Sequence, residues 1–120
     1  MNLQAVEIKA FVPARDLAVS IAFYKALEFE VPWAGEDLAY VRYGDTSFLL
    51  QQFSVPEHAG NFMMHMLVKN ADDWHRHAVG SGVTERFGAR IGIPEDRPWR
   101  IRDFTLIDPA GVLWRIGHNI

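Results

Sequence analysis

Hydrophobic and polar positions follow the same order of patterns twice along the chain. In the first half, alternating apolar and polar side chains predict a strand over Ala5–Pro13. Asp16 suits the N-cap of a helix over Leu17–Leu27, where apolar residues recur at helical spacing. Further strands are predicted over Glu28–Val31, broken at Pro32, and over Leu38–Tyr43 and Ser47–Phe53, joined by a turn at Gly44–Thr46.

The second half repeats this order after Pro56–Gly60, which has the composition of a linker. A strand over Phe62–Val68 leads to a helix that Asn70 caps and that Gly80 ends. Later strands are predicted over Glu85–Ile93, Arg102–Ile107 and Val112–His118, with a loop at Pro94–Pro98 and a turn at Asp108–Gly111. A period of roughly 55–60 residues predicts one α+β domain over residues 1–120, made of an internal repeat, 1–57 and 58–120.

Composition narrows the classes of protein to which the chain can belong. Hydrophobic residues make up 49% of the 120, which is enough for a core. Without cysteine there is no disulfide and no thiolate metal site. The net charge of -3 and the lack of a basic cluster argue against nucleic-acid binding. Since no apolar run has the roughly 18 residues of a membrane span and no signal peptide is recognised, we expect a cytoplasmic protein with no membrane contact.

Three motifs, in this order of elements, resemble the glyoxalase/bleomycin-resistance superfamily, also called the vicinal oxygen chelate superfamily. They are VPARDLAVSIAFYKAL at 12–27, EDRPWRIRDFTLIDP at 95–109 and DPAGVLWRIGHN at 108–119, the last two being most similar to the bleomycin-resistance type. The resemblance implies two βαβββ modules in a curved, mostly antiparallel sheet with helices on its convex side. It also implies a homodimer. Arg100 departs from similar sequences, which often have glycine there.

The resemblance also indicates where metal-dependent members hold their ion. Their His, Gln and Glu ligands correspond here to Lys9, Met63, Arg115 and either Leu50 or Gln51. Protonated lysine and arginine offer no lone pair to a metal and repel a divalent cation. We therefore expect neither a metal nor any other cofactor.

Strand alternation places four ionisable side chains on the concave face, where they either form ion pairs or recognise polar groups of a ligand. Two tryptophans that follow prolines in loops, and a phenylalanine of the first hairpin, are candidates for stacking on a flat ligand. The predicted binding site consists of Glu7, Lys9, His65 and Arg115 with Trp33, Phe48 and Trp99.

These features favour a metal-free protein that binds and sequesters a small aromatic or cationic ligand, as in antibiotic resistance of the bleomycin type. No nucleophile elbow or phosphate-binding loop indicates catalysis. The alternative is a lyase, isomerase or dioxygenase of the same superfamily. It would use atypical metal ligands such as Gln51 and His65, or no metal, with His65 or Glu7 as the base. A structural or regulatory dimer with a vestigial pocket is a third hypothesis.

Overall fold

Each half of the chain forms its own sheet in the computed structural model, which describes residues 1–53 and 55–120. The first half contains β1 (Phe11–Ala14), α1 (Leu17–Ala26), β2 (Glu30–Ala34), β3 (Leu38–Tyr43), β4 (Thr46–Gln52) and α2 (Pro56–Gly60). The second half contains β5 (Met63–Leu67), α3 (Ala71–Gly80), α4 (Val83–Phe87), β6 (Arg90–Ile91), β7 (Glu95–Arg97), β8 (Ile101–Ile107) and β9 (Leu113–Asn119). No helix in these described ranges is long and apolar enough to cross a membrane.

The two sheets share one plan of strand pairing. The order is β1-β4-β3-β2 in the first and β5-β9-β8-β6 in the second, where β7 also pairs with β8. In each sheet the first strand is parallel to its neighbour, and the other pairs are antiparallel. This confirms the predicted α+β class with mostly antiparallel strands. The boundary of the internal repeat between residues 57 and 58 stays a prediction.

Helix starts follow the predicted caps. The Asp16 carboxylate accepts a hydrogen bond from the Val19 N–H at 3.3 Å, and the Asn70 side chain accepts one from the Asp73 N–H at 3.0 Å. These side chains satisfy backbone donors that the first helical turn leaves free. Helix α1 packs on β2, β3 and β4, whereas α3 packs on β8 and β9. The helices therefore cover one face of each sheet and leave the opposite, concave face open.

Several predicted boundaries were wrong, each for a local reason. No strand covers residues 5–10, because only from Ala10 onward does β4 supply backbone hydrogen bonds. The supposed linker is helix α2, whose Pro56 fits the first helical turn, where an N–H is not needed. Val83–Phe87 is helical, so the strand predicted over Glu85–Ile93 shrinks to β6. The predicted loop at Pro94–Pro98 contains β7, which pairs with β8.

A buried hydrogen-bond chain connects the two halves. The Tyr24 hydroxyl of α1 donates to Asp108 Oδ2 at 2.6 Å and accepts from Trp114 Nε1 at 2.8 Å. All three residues are at most 4% exposed. Burial, followed by the nearby Asp108 charge, holds the pKa of Tyr24 well above its usual value, so the hydroxyl keeps its proton.

Replacing Tyr24 with phenylalanine should lower the free energy of unfolding by about 2–4 kcal/mol, because it leaves a buried indole N–H and a buried carboxylate oxygen without partners. Urea unfolding followed by tryptophan fluorescence measures the change. Tyr43→Phe is the matched control, since the partly exposed Tyr43 hydroxyl lies outside this chain of hydrogen bonds. Equal stability of Tyr24→Phe and the control would show that the chain contributes little.

Candidate ligand-binding site

A cavity of about 400 Å³ lies between the two halves of the chain. Its walls are mainly apolar and include five aromatic rings. The residues that line it are Phe29, Tyr43, Thr46, Ser47, Phe48, Met64, His65, Met66, Leu67, Val68, Trp74 and Trp114. The size and the lining are those of a pocket for a small organic molecule.

The aromatic walls come from four different elements. Phe48 on β4 and Trp114 on β9 both face the helices, and their ring centroids are 5.3 Å apart in an edge-to-face arrangement. Trp74 on α3 packs edge-on against Tyr43 at 5.0 Å. Phe29, after α1, lies between these pairs, 6.3 Å from Trp74 and 6.2 Å from Trp114. Because the rings brace one another, the walls are preorganised for a flat ligand.

The remaining wall is the edge of β5. Within the described residues, β5 pairs with β9 alone, so its second edge has no strand beside it. Met64 and Met66 are half-buried on the helix side, and His65 is exposed on the concave side. The cavity follows this edge, and its lining includes side chains from both faces of β5, Met64 and Met66 on one and His65 and Leu67 on the other.

No carboxylate, lysine or arginine is among the described residues that line the cavity. Its polar groups are the side chains of Tyr43, Thr46, Ser47 and His65. Two of these are already engaged, since Thr46 Oγ1 donates to the Tyr43 carbonyl and Ser47 Oγ donates to the Glu7 carboxylate. The interior thus suits an uncharged, apolar part of a ligand.

Arg115 belongs to an ionic cluster on the concave face of the second sheet. Its Nη1 lies 3.3 Å from Asp103 Oδ2, and Arg97 Nε donates to Asp103 Oδ1 at 2.8 Å. Asp103 is only 1% exposed, so its charge requires these partners. His65 is the register partner of Arg115 on the neighbouring strand, so the two predicted residues lie side by side.

Glu7 and Lys9 lie away from this cluster. They precede β1, pair with each other at 3.2 Å, and pack near the first sheet, where Lys9 lies over the Tyr40 ring. Hydrogen bonds from Ser47 and then Lys9 lower the pKa of Glu7. The four ionisable residues therefore form two separate groups: Glu7 pairs with Lys9, whereas His65 lies beside Arg115, which pairs with Asp103.

Trp33 and Trp99 belong to different sheets. Trp33 is on β2, the edge strand of the first sheet farthest from β1, and Trp99 is in the turn between β7 and β8 of the second sheet. They are 54% and 60% exposed, and neither lines the cavity. Of the seven predicted residues, only Phe48 and His65 line it together.

Sequence reasoning missed Asp103 and Trp74 as parts of the site. Asp103 could have been found, because a hairpin around Asp108–Gly111 and strand alternation put it on the face of Arg115. Trp74 has the helical spacing of a core residue, and it packs against the core as well as lining the cavity. Its contact with Tyr43 joins the two halves, and no local pattern in the sequence encodes such a contact.

The positions of the expected metal ligands are dispersed. Met63 and Arg115 share the concave face of the second sheet, while Lys9 is held by Glu7. In the part of the chain that the structure describes, no three His, Asp or Glu side chains are close enough together to hold a metal ion.

Comparisons with known proteins identify the fold. A bleomycin-binding protein crystallised with bleomycin is 23% identical, with a TM-score of 0.83 over 97% of this chain and 100% of that one. A bleomycin resistance determinant encoded on the transposon Tn5 is 24% identical, with a TM-score of 0.83 over 96% and 98%. The bleomycin-binding protein of Streptomyces verticillus, complexed with copper(II)-bleomycin, is 21% identical, with a TM-score of 0.81 over 98% and 100%. No family model matches the sequence, and a search of curated proteins also finds no match.

The chain therefore has the glyoxalase/bleomycin-resistance fold, which confirms the fold that its motifs indicated. At identities below 25% the comparisons establish the architecture, and the function has to be argued from the site itself.

Protein purified without chelators should contain well under one divalent metal ion per chain, because cationic or thioether side chains occupy three expected ligand positions. Elemental analysis by mass spectrometry measures the content. About one zinc, iron, manganese or nickel ion per chain, retained through gel filtration, would contradict the prediction.

Proposed function

We propose that this protein binds and sequesters a small molecule with a flat, apolar part, without a metal. The observation that carries the proposal is the preorganised aromatic cavity between the two halves. A volume of about 400 Å³ falls in the range of small-molecule sites. Each ring that stacks on a ligand adds roughly 0.5–1.5 kcal/mol beyond the burial of apolar area.

The similar structures add support from outside the chain. Proteins of the same fold that cover nearly the whole chain are described as binding bleomycin. We do not propose bleomycin itself as the ligand of this chain. We propose the more general property, the sequestration of an organic compound of antibiotic type. A cytoplasmic location and the lack of nucleic-acid partners remain predictions of the same proposal.

A thermal-shift screen of aromatic natural products and antibiotics should identify ligands, since a ligand at 100 times its Kd adds about 2.7 kcal/mol of stability. Calorimetric titration of the best compound should then give at least tenfold weaker binding to Trp74→Ala, which removes a cavity wall. The matched double variant Trp33→Ala/Trp99→Ala removes two exposed rings and should bind normally if the ligand occupies the cavity of one chain.

The opposite result would relocate the site. Weak binding to Trp33→Ala/Trp99→Ala with normal binding to Trp74→Ala would place the ligand in the concave cleft that the sequence suggested. Conversion of the compound by wild-type protein, abolished in His65→Ala, would instead support an enzyme. No stabilising compound in a broad screen would favour the vestigial pocket.

We also propose that the protein is a homodimer. The N-terminal segment exposes Leu3, Val6 and Ile8 at 85% to 95%, and the concave face of β5 exposes Met63 at 56%. Exposed apolar groups beside an unpaired strand edge are typical of surfaces that a second protein chain covers. A twofold partner would bury this surface and complete the open face of each sheet.

Light scattering at micromolar concentration should give twice the chain mass of 13.7 kDa. Met63→Lys should shift the population toward monomer, because it places a charge in the proposed interface. Met63 is exposed in the single chain, so the substitution should change the free energy of unfolding of the monomer little. Val79→Lys, at a similarly exposed position on α3, is the control and should stay dimeric. A wild-type mass of one chain would contradict the dimer.

A further inference from the structure

Arg115 is held by only one of its nitrogens. Nη1 lies 3.3 and 3.4 Å from the two oxygens of Asp103, and the described residues offer no hydrogen bond to its Nε or Nη2. The side chain is 31% exposed. An arginine presents five N–H donors in a planar fork, so most of its donors point to solvent or to a ligand.

Asp103 has a second and closer arginine partner. Arg97 donates to Asp103 at the shorter distance of 2.8 Å through Nε, and its Nη1 also bonds Glu95 at 2.8 Å. Both carboxylates of this cluster are thus already paired with one arginine. Arg115 balances the charge of the second carboxylate through one nitrogen and, within the described part of the chain, keeps its other donors free.

The surrounding face is cationic. Strand register puts Arg90 on the same face as Arg97 and Arg115, because it pairs with Ile107 of β8. Three arginines therefore face two carboxylates, Glu95 and Asp103. His65, directly beside Arg115 in the parallel register, adds an imidazole that can donate a hydrogen bond.

His65 connects this group of donors to the aromatic cavity. His65 belongs both to the cavity lining and, through its register with Arg115, to the concave face. A ligand whose rings occupy the cavity can therefore extend around the edge of β5 to the guanidinium. Gly117 has no side chain to cover the concave face next to Arg115. A Cβ at this position would lie 2.7 Å from Asp103 Cβ, which is too close for any other residue.

We propose that Arg115 and His65 bind an oxyanion, a carboxylate or phosphate group, carried by the same ligand whose apolar part fills the cavity. The proposal rests on the proposed function and makes it specific: the ligand class is aromatic anions, in place of the cationic compounds that the sequence left open. A planar guanidinium with free donors is suited to oxyanions through paired hydrogen bonds.

The test uses one ring system with different charges. Naphthalene-2-carboxylate, 2-naphthamide and 2-naphthylmethylammonium are titrated into the full chain at constant ionic strength and followed by ¹H–¹⁵N NMR. We expect the carboxylate to bind at least tenfold more tightly than the amide or the cation. Addition of the carboxylate should shift the backbone amide resonances of β5 and β9. Titration with 2-naphthyl phosphate then shows which oxyanion binds better.

Arg115→Gln should abolish the preference for the carboxylate while leaving binding of the amide unchanged. His65→Gln, at an exposed position, should reduce the preference for the carboxylate and replaces Arg115→Gln in the test if that variant is unstable. Arg76→Gln on α3 is the control and should behave as wild type. Equal binding of the three compounds to wild type would overturn the oxyanion site alone, whereas binding of none of them would also contradict the aromatic cavity.

Discussion

The buried Tyr24 hydroxyl is the contact on which the arrangement of the two halves depends. It bonds the turn carboxylate of Asp108 and the indole of Trp114, so a helix of the first half is fixed to the last hairpin of the second. Burial raises the pKa of Asp108, and the Tyr24 hydroxyl and three backbone N–H groups of its turn oppose that rise. Asp108 therefore begins and holds the turn, orients Tyr24 and, through it, sets the position of Trp114.

The cavity is a consequence of this fixation. Once Tyr24 holds Trp114 in place, Phe48 and Phe29 pack around the indole at centroid distances of 5.3 and 6.2 Å. The rings pack edge to face, and this geometry leaves space between them. Aliphatic side chains, which pack more closely, would fill such a space. Because β5 has no strand on its outer edge, that space is open instead of being sealed inside the core.

Local chemistry made most of the architecture predictable. Asp16 and Asn70 allowed the helix starts to be predicted, because an N-cap side chain bonds a backbone N–H only two or three residues further along the chain. Alternation correctly put His65 and Arg115 on one face. The sequence could not show which side chains meet across the molecule. The packing of Trp74 on Tyr43, and the position of Trp33 and Trp99 outside the cavity lining, depend on how the two halves pack together.

Arg100 adopts a φ of 66°, which explains why similar sequences often have glycine there.

Arg115 is the cation of the concave face that the proposed oxyanion site depends on. By resemblance, its position corresponds to that of a carboxylate ligand in metal-dependent members, where the bound cation supplies positive charge. Here the guanidinium supplies positive charge directly, and Asp103, which also accepts a hydrogen bond from Arg97, holds it through Nη1 alone. A fixed guanidinium cannot act as a Lewis acid on a bound oxygen, but it can orient an oxyanion. An arginine at this position therefore suits the recognition of an oxyanion that we propose for the concave face.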